Sequence, residues 1–266
     1  MKTLVLKASP NKAGNTATMA DRFIDGLRAV GHEEVITFHL NDLDIRPCQG
    51  CNACLSPPYE GCVVDDDFNT IFPTFRDADL VVFAAPIYWW HLCAQMKTFI
   101  DRMHPMLTLD QDHCLPTKEL VLLTAYLAED PYGVDLAVRM LESITRWAGM
   151  GFHVVRFHSE HGSVHQDEAK LREVRDLGLS FADWERPELP AGCPLDACGF
   201  RFRSNEHAAK HLVMAAGGEH LRWKAEHHSE THTLQNTEQL TAETLEILER
   251  TTGTGEKPSG EAPTNR

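Results

Sequence analysis

The feature that most restricts the fold is a rhythm of short apolar runs alternating with segments of helical period. Runs of strand character stand at TLVLKAS (3–9), EVITFHL (34–40), DLVVFAAPIY (79–88), ELVLLTAYL (119–127) and HVVRFHSE (153–160). Several are apolar nearly throughout, as strands buried on both faces are. Residues 15–30 carry Met19, Phe23, Ile24 and Leu27 at helical spacing and stop at Gly31. Residues 67–77 read as a short helix interrupted at Pro73, and residues 94–104, 135–150 and 166–184 as further helices. This alternation predicts an α/β domain with a five-stranded parallel sheet and helices on both faces.

The rhythm ends near Trp184, which bounds a first domain at 1–184. ERPELPAG (185–192) reads as a linker, residues 193–250 as a small helical module rich in Cys and His, and residues 251–266 as a disordered tail. The formal net charge of -14 argues against a nucleic-acid backbone or an anionic membrane surface as partner. No run reaches the roughly 18 apolar residues of a membrane helix. The first apolar run is too short for a signal peptide, so a cytoplasmic location is expected. Of the eight cysteines, four sit within 15 residues (Cys48, Cys51, Cys54, Cys62), two form a pair (Cys193, Cys198), and Cys93 and Cys114 stand alone. In a reducing compartment such clusters point to metal or redox chemistry.

The first strand runs into SPNKAGNTATM (9–19). A loop of small and hydroxyl residues between a strand and a helix N-terminus suits an anion, because free N–H groups and the helix dipole both face it. Ser9, Asn11, Asn15 and Thr16 add side-chain donors, and Gly14 allows close backbone approach. An ordinary βα turn capped by Asn or Thr is the competing reading. The loop is neither a P-loop nor a dinucleotide glycine fingerprint.

S-P-x-x-x-G-N-T, taken with DADLVVFAAPIYWWHLCAQMKTFIDR (77–102), resembles the NAD(P)H-dependent FMN reductase and iron–sulfur flavoprotein branch of the flavodoxin superfamily. The resemblance covers about residues 1–180. It implies a flavodoxin-like doubly wound sheet of order 2-1-3-4-5 with its ligand at the switch point between strands one and three. By position, Ser9, Asn11, Gly14, Asn15 and Thr16 would hold the FMN phosphate. Pro86, Ile87, Tyr88 and Trp89 would line the flavin ring, with Trp90 and His91 close by. A third flavin loop would correspond to Thr124, Ala125 and Tyr126, joined by Gly133. There the sequence departs from the family, with AYLAEDPYG (125–133) in place of a glycine-rich stretch. Core or dimer packing is the competing role for Tyr88, Trp89 and Trp90.

PCQGCNACLSPPYEGC (47–62) spaces Cys48, Cys51, Cys54 and Cys62 so that they can ligate a 4Fe–4S cluster. The spacing resembles that of the iron–sulfur flavoproteins. Zinc, packing thiols or an adaptable redox pair are the alternatives. Further on, Cys193-x4-Cys198-x12-His211 looks like a zinc finger of the two-Cys, two-His kind, a hairpin followed by a helix. His220 is the favoured fourth ligand, with His228 and His232 as the alternative. The region lacks a basic face for DNA, so a structural or protein-contact role is expected.

No Ser-His-Asp or paired-carboxylate site stands out, and Asp65, Asp66 and Asp67 read as a helix-start charge run. The resemblance implies an FMN-dependent oxidoreductase that takes electrons from NAD(P)H to a flavin, quinone or similar small acceptor, as a homodimer or higher homo-oligomer. An iron–sulfur electron carrier and a redox-responsive regulatory protein are the rival readings. No side-chain acid or base is expected to be essential, since the flavin carries the chemistry.

Overall fold

A computed structural model describes residues 1–55, 61–108, 115–127, 132–159, 162–189, 191–193, 201–214, 223, 226 and 237–253. Contacts divide the chain into two units, Met1–Thr145 with Met150–Arg186, and Arg146–Gly149 with Pro187–Arg266.

The first unit is built on β1 (Thr3–Lys7), β2 (Val35–His39), β3 (Leu80–Ala84), β6 (Glu119–Tyr126) and β7 (Gly151–His158), with a hairpin of β4 (Ile87–Tyr88) and β5 (His91–Leu92) after β3. The five-stranded sheet runs β2-β1-β3-β6-β7, every pair parallel. Counting only these five strands, the order is the expected 2-1-3-4-5. The helices are α1 (Asn15–Ala29), α2 (Phe68–Asp77), α3 (Ala94–Asp101), α4 (Tyr132–Ala148) and α5 (Glu168–Leu179).

The two faces of the sheet are filled differently. Val5, Val82 and Val121 pack with Met19, Phe23 and Leu27 of α1 and Val174 of α5. On the other side, Phe68, Phe72 and Phe75 of α2 join Phe83 of β3 and Phe99 of α3 in a chain of ring contacts with centroids 5.5–6.3 Å apart. This aromatic face explains why α2 runs unbroken through Pro73, where an interruption was expected. Proline inside a helix costs about 3 kcal/mol, but burial of Phe68, Ile71, Phe72 and Phe75 outweighs that loss. The third strand is shorter than its apolar run, ending at Ala84 because Pro86 has no N–H to continue a ladder.

Helix α1 ends in a Schellman turn. Gly31 takes φ +87°, its N–H donates to Arg28 O, and the His32 N–H donates to Leu27 O. Helices α1 and α5 cross where two glycines meet: a Cβ on Gly26 would lie 2.3 Å from Arg175 O, and one on Gly178 would lie 2.4 Å from Phe23 O. Both neighbours are backbone, which cannot swing aside. Gly26→Ala is therefore expected to destabilise the protein by about 1–3 kcal/mol, despite alanine's better helix propensity. A drop in the urea midpoint with unchanged slope is the result to look for.

The second unit carries the short antiparallel pair β8 (Ala191–Gly192) and β9 (Arg201–Phe202), then α6 (Asn205–Met214) and α7 (Thr237–Gly253). A hairpin followed by a helix is the expected order. The unit has an apolar core of its own, with Phe202, Ala208, Leu212, Trp223 and Leu248 buried together. Helix α7 continues three residues past the boundary expected at 250. Cys198, His220, His228, His232 and the tail from 254 lie outside the described residues, as does the side chain of His211. Among the described residues no helix is long and apolar enough to cross a membrane.

Candidate functional site

Parallel pairing sets Lys7 of β1 beside Ala84 of β3, so the loops that follow these strands leave one edge of the sheet side by side. The link continues past the strands, where the Ala8 N–H donates to Ala84 O and Cys93 Sγ donates to Ala8 O. Burial pushes the Cys93 thiol up, so it stays protonated and structural.

The first loop folds on itself. Ser9 Oγ accepts the Asn11 N–H, Asn11 Oδ1 accepts the Ala13 N–H, and Asn11 O accepts the Gly14 N–H, each at 3.1 Å. Gly14 is the residue before α1 and contributes no side-chain cap. The N–H groups of Asn15, Thr16 and Ala17 in the first turn have no partner among the described residues. They are the donors that a phosphate at this helix end requires.

The second loop is the β4–β5 hairpin. Its two turn residues, Trp89 (φ +47°) and Trp90 (φ +67°), both occupy the left-handed region that a two-residue hairpin turn of this type demands. Asn-Gly is the usual occupant, and a bulky residue there is strained. Trp89 is 89% exposed, so the strain is not offset by burial of its own ring. Ile87, Trp89, Trp90, Tyr126, Leu127 and Gly133 line a cleft of ≈ 270 Å³. Gly133 is required there, because a Cβ would stand 2.8 Å from Trp90 Cα. Tyr126 stacks on His158 at 5.0 Å and 16°. Of the expected third loop, Tyr126 faces this cleft. Thr124 is fully buried and donates its hydroxyl to Ala85 O at 2.8 Å, while Ala125 packs into the core. Pro86 is buried, and its carbonyl accepts the Cys93 N–H.

The cysteine segment is closed at its base by one side chain. Arg102, at the end of α3, is fully buried and pairs with the equally buried Asp66. The same guanidinium donates to Arg46 O at 3.1 Å and to Val64 O at 3.4 Å, and lies 4.4 Å over the Phe68 ring. It thus holds both ends of the segment that carries Cys48, Cys51, Cys54 and Cys62. Burial alone would raise the Asp66 carboxyl. Arg102 and the N–H groups of Arg46 and Phe68 outweigh it and hold the group below the usual carboxylate range. Burial also opposes the charge on Arg102, but Asp66 and Cys62 together raise its pKa.

Within the segment, Gly50 (φ +63°) and Asn52 (φ +56°) turn the chain back on itself, and the Gly50 N–H donates to Cys48 Sγ at 3.4 Å. Asn69 fixes the backbone of Cys62 from both sides, accepting its N–H at 3.1 Å and donating to its carbonyl at 2.8 Å. Burial raises the Cys54 thiol, and the charges of Cys62, Cys51 and Cys48 act in the same direction. Among the described residues, no three of His, Cys, Asp or Glu stand in a metal-holding arrangement.

Residues 1–177 match the Flavodoxin_2 family, described as a flavodoxin-like fold. The chain belongs to that family. An iron–sulfur flavoprotein of Archaeoglobus fulgidus is 38% identical over 105 residues, 40% of this chain and 46% of the relative. The chain spans about half the length of the iron–sulfur flavoproteins it matches. YwqN of Bacillus subtilis, whose name places it with NAD(P)H-dependent FMN-containing oxidoreductases, is 29% identical over 188 residues, 66% of this chain and 96% of the relative. Among solved structures, an FMN-dependent NADH-azoreductase from Bacillus anthracis, in complex with FMN, superposes with a TM-score of 0.53 at 14% identity, covering 68% of this chain and all of that one. This last likeness speaks to the fold alone.

Two features of this flavodoxin-like site escape sequence reading. One is the grip of residues 163–165 on the loop after β1, across some 150 positions of sequence. The other is the use of Asp66, which reads as part of a helix-start charge run, to bind a buried arginine. The FIDR segment carries Arg102 in plain view, but nothing local to it points to the cysteine segment.

Proposed function

We propose that the chain is an FMN-dependent oxidoreductase that accepts hydride from NAD(P)H and delivers electrons to a flavin, quinone or similar small acceptor. The observation that carries this reading is the placement of two loops on one sheet edge. A donor-rich turn stands at the end of β1, and an aromatic hairpin with a cleft beside it at the end of β3. This edge is where doubly wound sheets take their ligands. The residues fit the group: unpaired N–H groups for its phosphate, and flat apolar side chains for its ring. FMN would supply the two-electron and one-electron chemistry. The protein's part is to bind and orient. Asn15, Thr16 and Ala17 would bind the phosphate, with Ser9, Asn11 and Gly14 shaping the loop; Ile87, Trp89 and Tyr126 would bound the ring and keep water from one side of it.

A second reading is favoured by the cysteine segment. Four closely spaced thiols and an N–H···S bond support a 4Fe–4S cluster, and several relatives are named for one, but no three of these thiols stand in a metal-holding arrangement here, so a cluster would have to draw them together. Cys48, Cys51, Cys54 and Cys62 would hold it, and it would supply single-electron transfer beside the flavin. For the second unit, zinc held by Cys193, Cys198, His211 and His220 remains our inference, supported by the order of hairpin and helix.

One preparation tests all three. Protein purified without oxygen is expected to show flavin absorption that bleaches on addition of NADPH. Iron and acid-labile sulfide at about four per chain would add the cluster, and one zinc per chain the finger. Absence of flavin even after incubation with FMN would sink the main reading.

A further inference from the structure

In the loop after β1, several acceptors are engaged within the protein while the N–H groups of the first helical turn are left free. Gly14 O accepts from the Thr18 N–H at 3.0 Å and from the Thr18 hydroxyl at 3.1 Å. The acceptors of Ser9 and Asn11 are taken by the loop's own amides. Two further acceptors, Ala13 O and Asn15 Oδ1, are met by one segment from beyond β7. Asn15 Oδ1 accepts from the Ser163 hydroxyl at 3.2 Å and from the Val164 N–H at 3.1 Å. His165 Nε2 lies 3.1 Å from Ala13 O and 3.1 Å from Thr18 Oγ1. A carbonyl cannot donate, so the contact with Ala13 O requires the imidazole hydrogen on Nε2. Ser163 Oγ in turn accepts the His165 N–H at 3.3 Å, which holds the segment in shape.

The consequence is electrostatic. A phosphate is repelled by any lone pair that faces it, so an anion site needs donors in front and its acceptors engaged elsewhere. With Oδ1 held from behind, the Asn15 side chain has only its Nδ2 hydrogens left, and these have no partner among the described residues. They join the free N–H groups of Asn15, Thr16 and Ala17.

We propose that Ser163–His165 is a positioning segment for the flavin phosphate, fixing the amide orientation of Asn15 and engaging Ala13 O so that the site selects FMN over riboflavin. This rests on the FMN reading above. None of the three residues needs to touch the ligand.

The test is a pair of fluorescence titrations, FMN and riboflavin, on wild type and on Ser163→Ala, Ser163→Thr and His165→Ala. Ser163→Ala and His165→Ala are expected to weaken FMN roughly five- to tenfold, the effect of one lost hydrogen bond, with riboflavin affinity unchanged. Ser163→Thr, which keeps the hydroxyl, should bind FMN like wild type. Equal loss for both flavins, or no loss of FMN, overturns the proposal while leaving FMN binding intact. A wild-type protein that binds neither flavin overturns this proposal and the FMN reading together.

Discussion

Arg102→Gln is expected to lower the stability of the flavodoxin-like unit by about 3–5 kcal/mol, the usual consequence of removing one member of a buried ion pair. The loss has two parts. Asp66 keeps its charge with no exposed side-chain surface and only the half-exposed Arg46 guanidinium, 3.6 Å away, as counter-charge, and Arg46 O and Val64 O lose a donor at the base of the cysteine segment. Removing the charge from both partners separates these parts. Asp66→Asn with Arg102→Met should recover a substantial share of the loss, because no uncompensated charge is then buried. Urea unfolding of the two variants beside wild type measures the difference.

Acid gives a second handle on the same pair. The folded protein holds Asp66 below its ordinary pKa, so its contribution is fully present above the unfolded value of about 3.9 and is lost as pH falls through the lower folded value. Wild type should therefore lose stability between about pH 4 and the acid limit. Asp66→Asn, weaker at neutrality, should lack that part of the slope. Parallel slopes for the two proteins below pH 4 would show that Asp66 does not titrate as its partners dictate.

The second large effect falls on turnover and not on stability. Trp89→Asn with Trp90→Gly puts the residues favoured by the turn at positions of φ +47° and +67°. Relief of left-handed strain contributes about 1–2 kcal/mol; Trp89 has little burial to lose, while the half-buried Trp90 gives that gain back, so stability should change little. The same change removes two of the three aromatic side chains that line the cleft. On the proposed function, efficiency with NADPH and a quinone should fall on the order of 10²-fold, the scale of loss when a bound reactant is misplaced by about 1 Å. A variant both less stable and fully active would show that the two tryptophans serve packing alone. Thermal unfolding and steady-state rates decide it.

What the sequence disclosed follows from the range of the interactions involved. The five strands and the helices α1, α4 and α5 rest on apolar periodicity, which is local, and their centres were legible even where ends moved by a few residues. The donor-rich turn after β1 was legible for the same reason. The Trp89–Trp90 turn was not: an Ile-Tyr-Trp-Trp run has strand propensity throughout, and nothing in tryptophan announces positive φ. Pro73 misled because its local effect is real but is overridden by a distant aromatic face. Ser163, His165 and Asp66 act on partners 36 to 152 positions away, beyond the reach of any spacing rule.

The clasp formed by Arg102 also bears on how such a chain can change over evolutionary time. With residues 46 and 64 pinned to one guanidinium and Cys62 held by Asn69, the ends of the stretch are fixed whatever its middle carries. Doubling the length of a flexible loop adds only about 0.6 kcal/mol of closure entropy. The stretch that carries the four thiols is therefore an exchangeable insert. Descendants can lengthen it, shorten it or lose its sulfur chemistry altogether while the flavodoxin-like frame that receives it stays as it is.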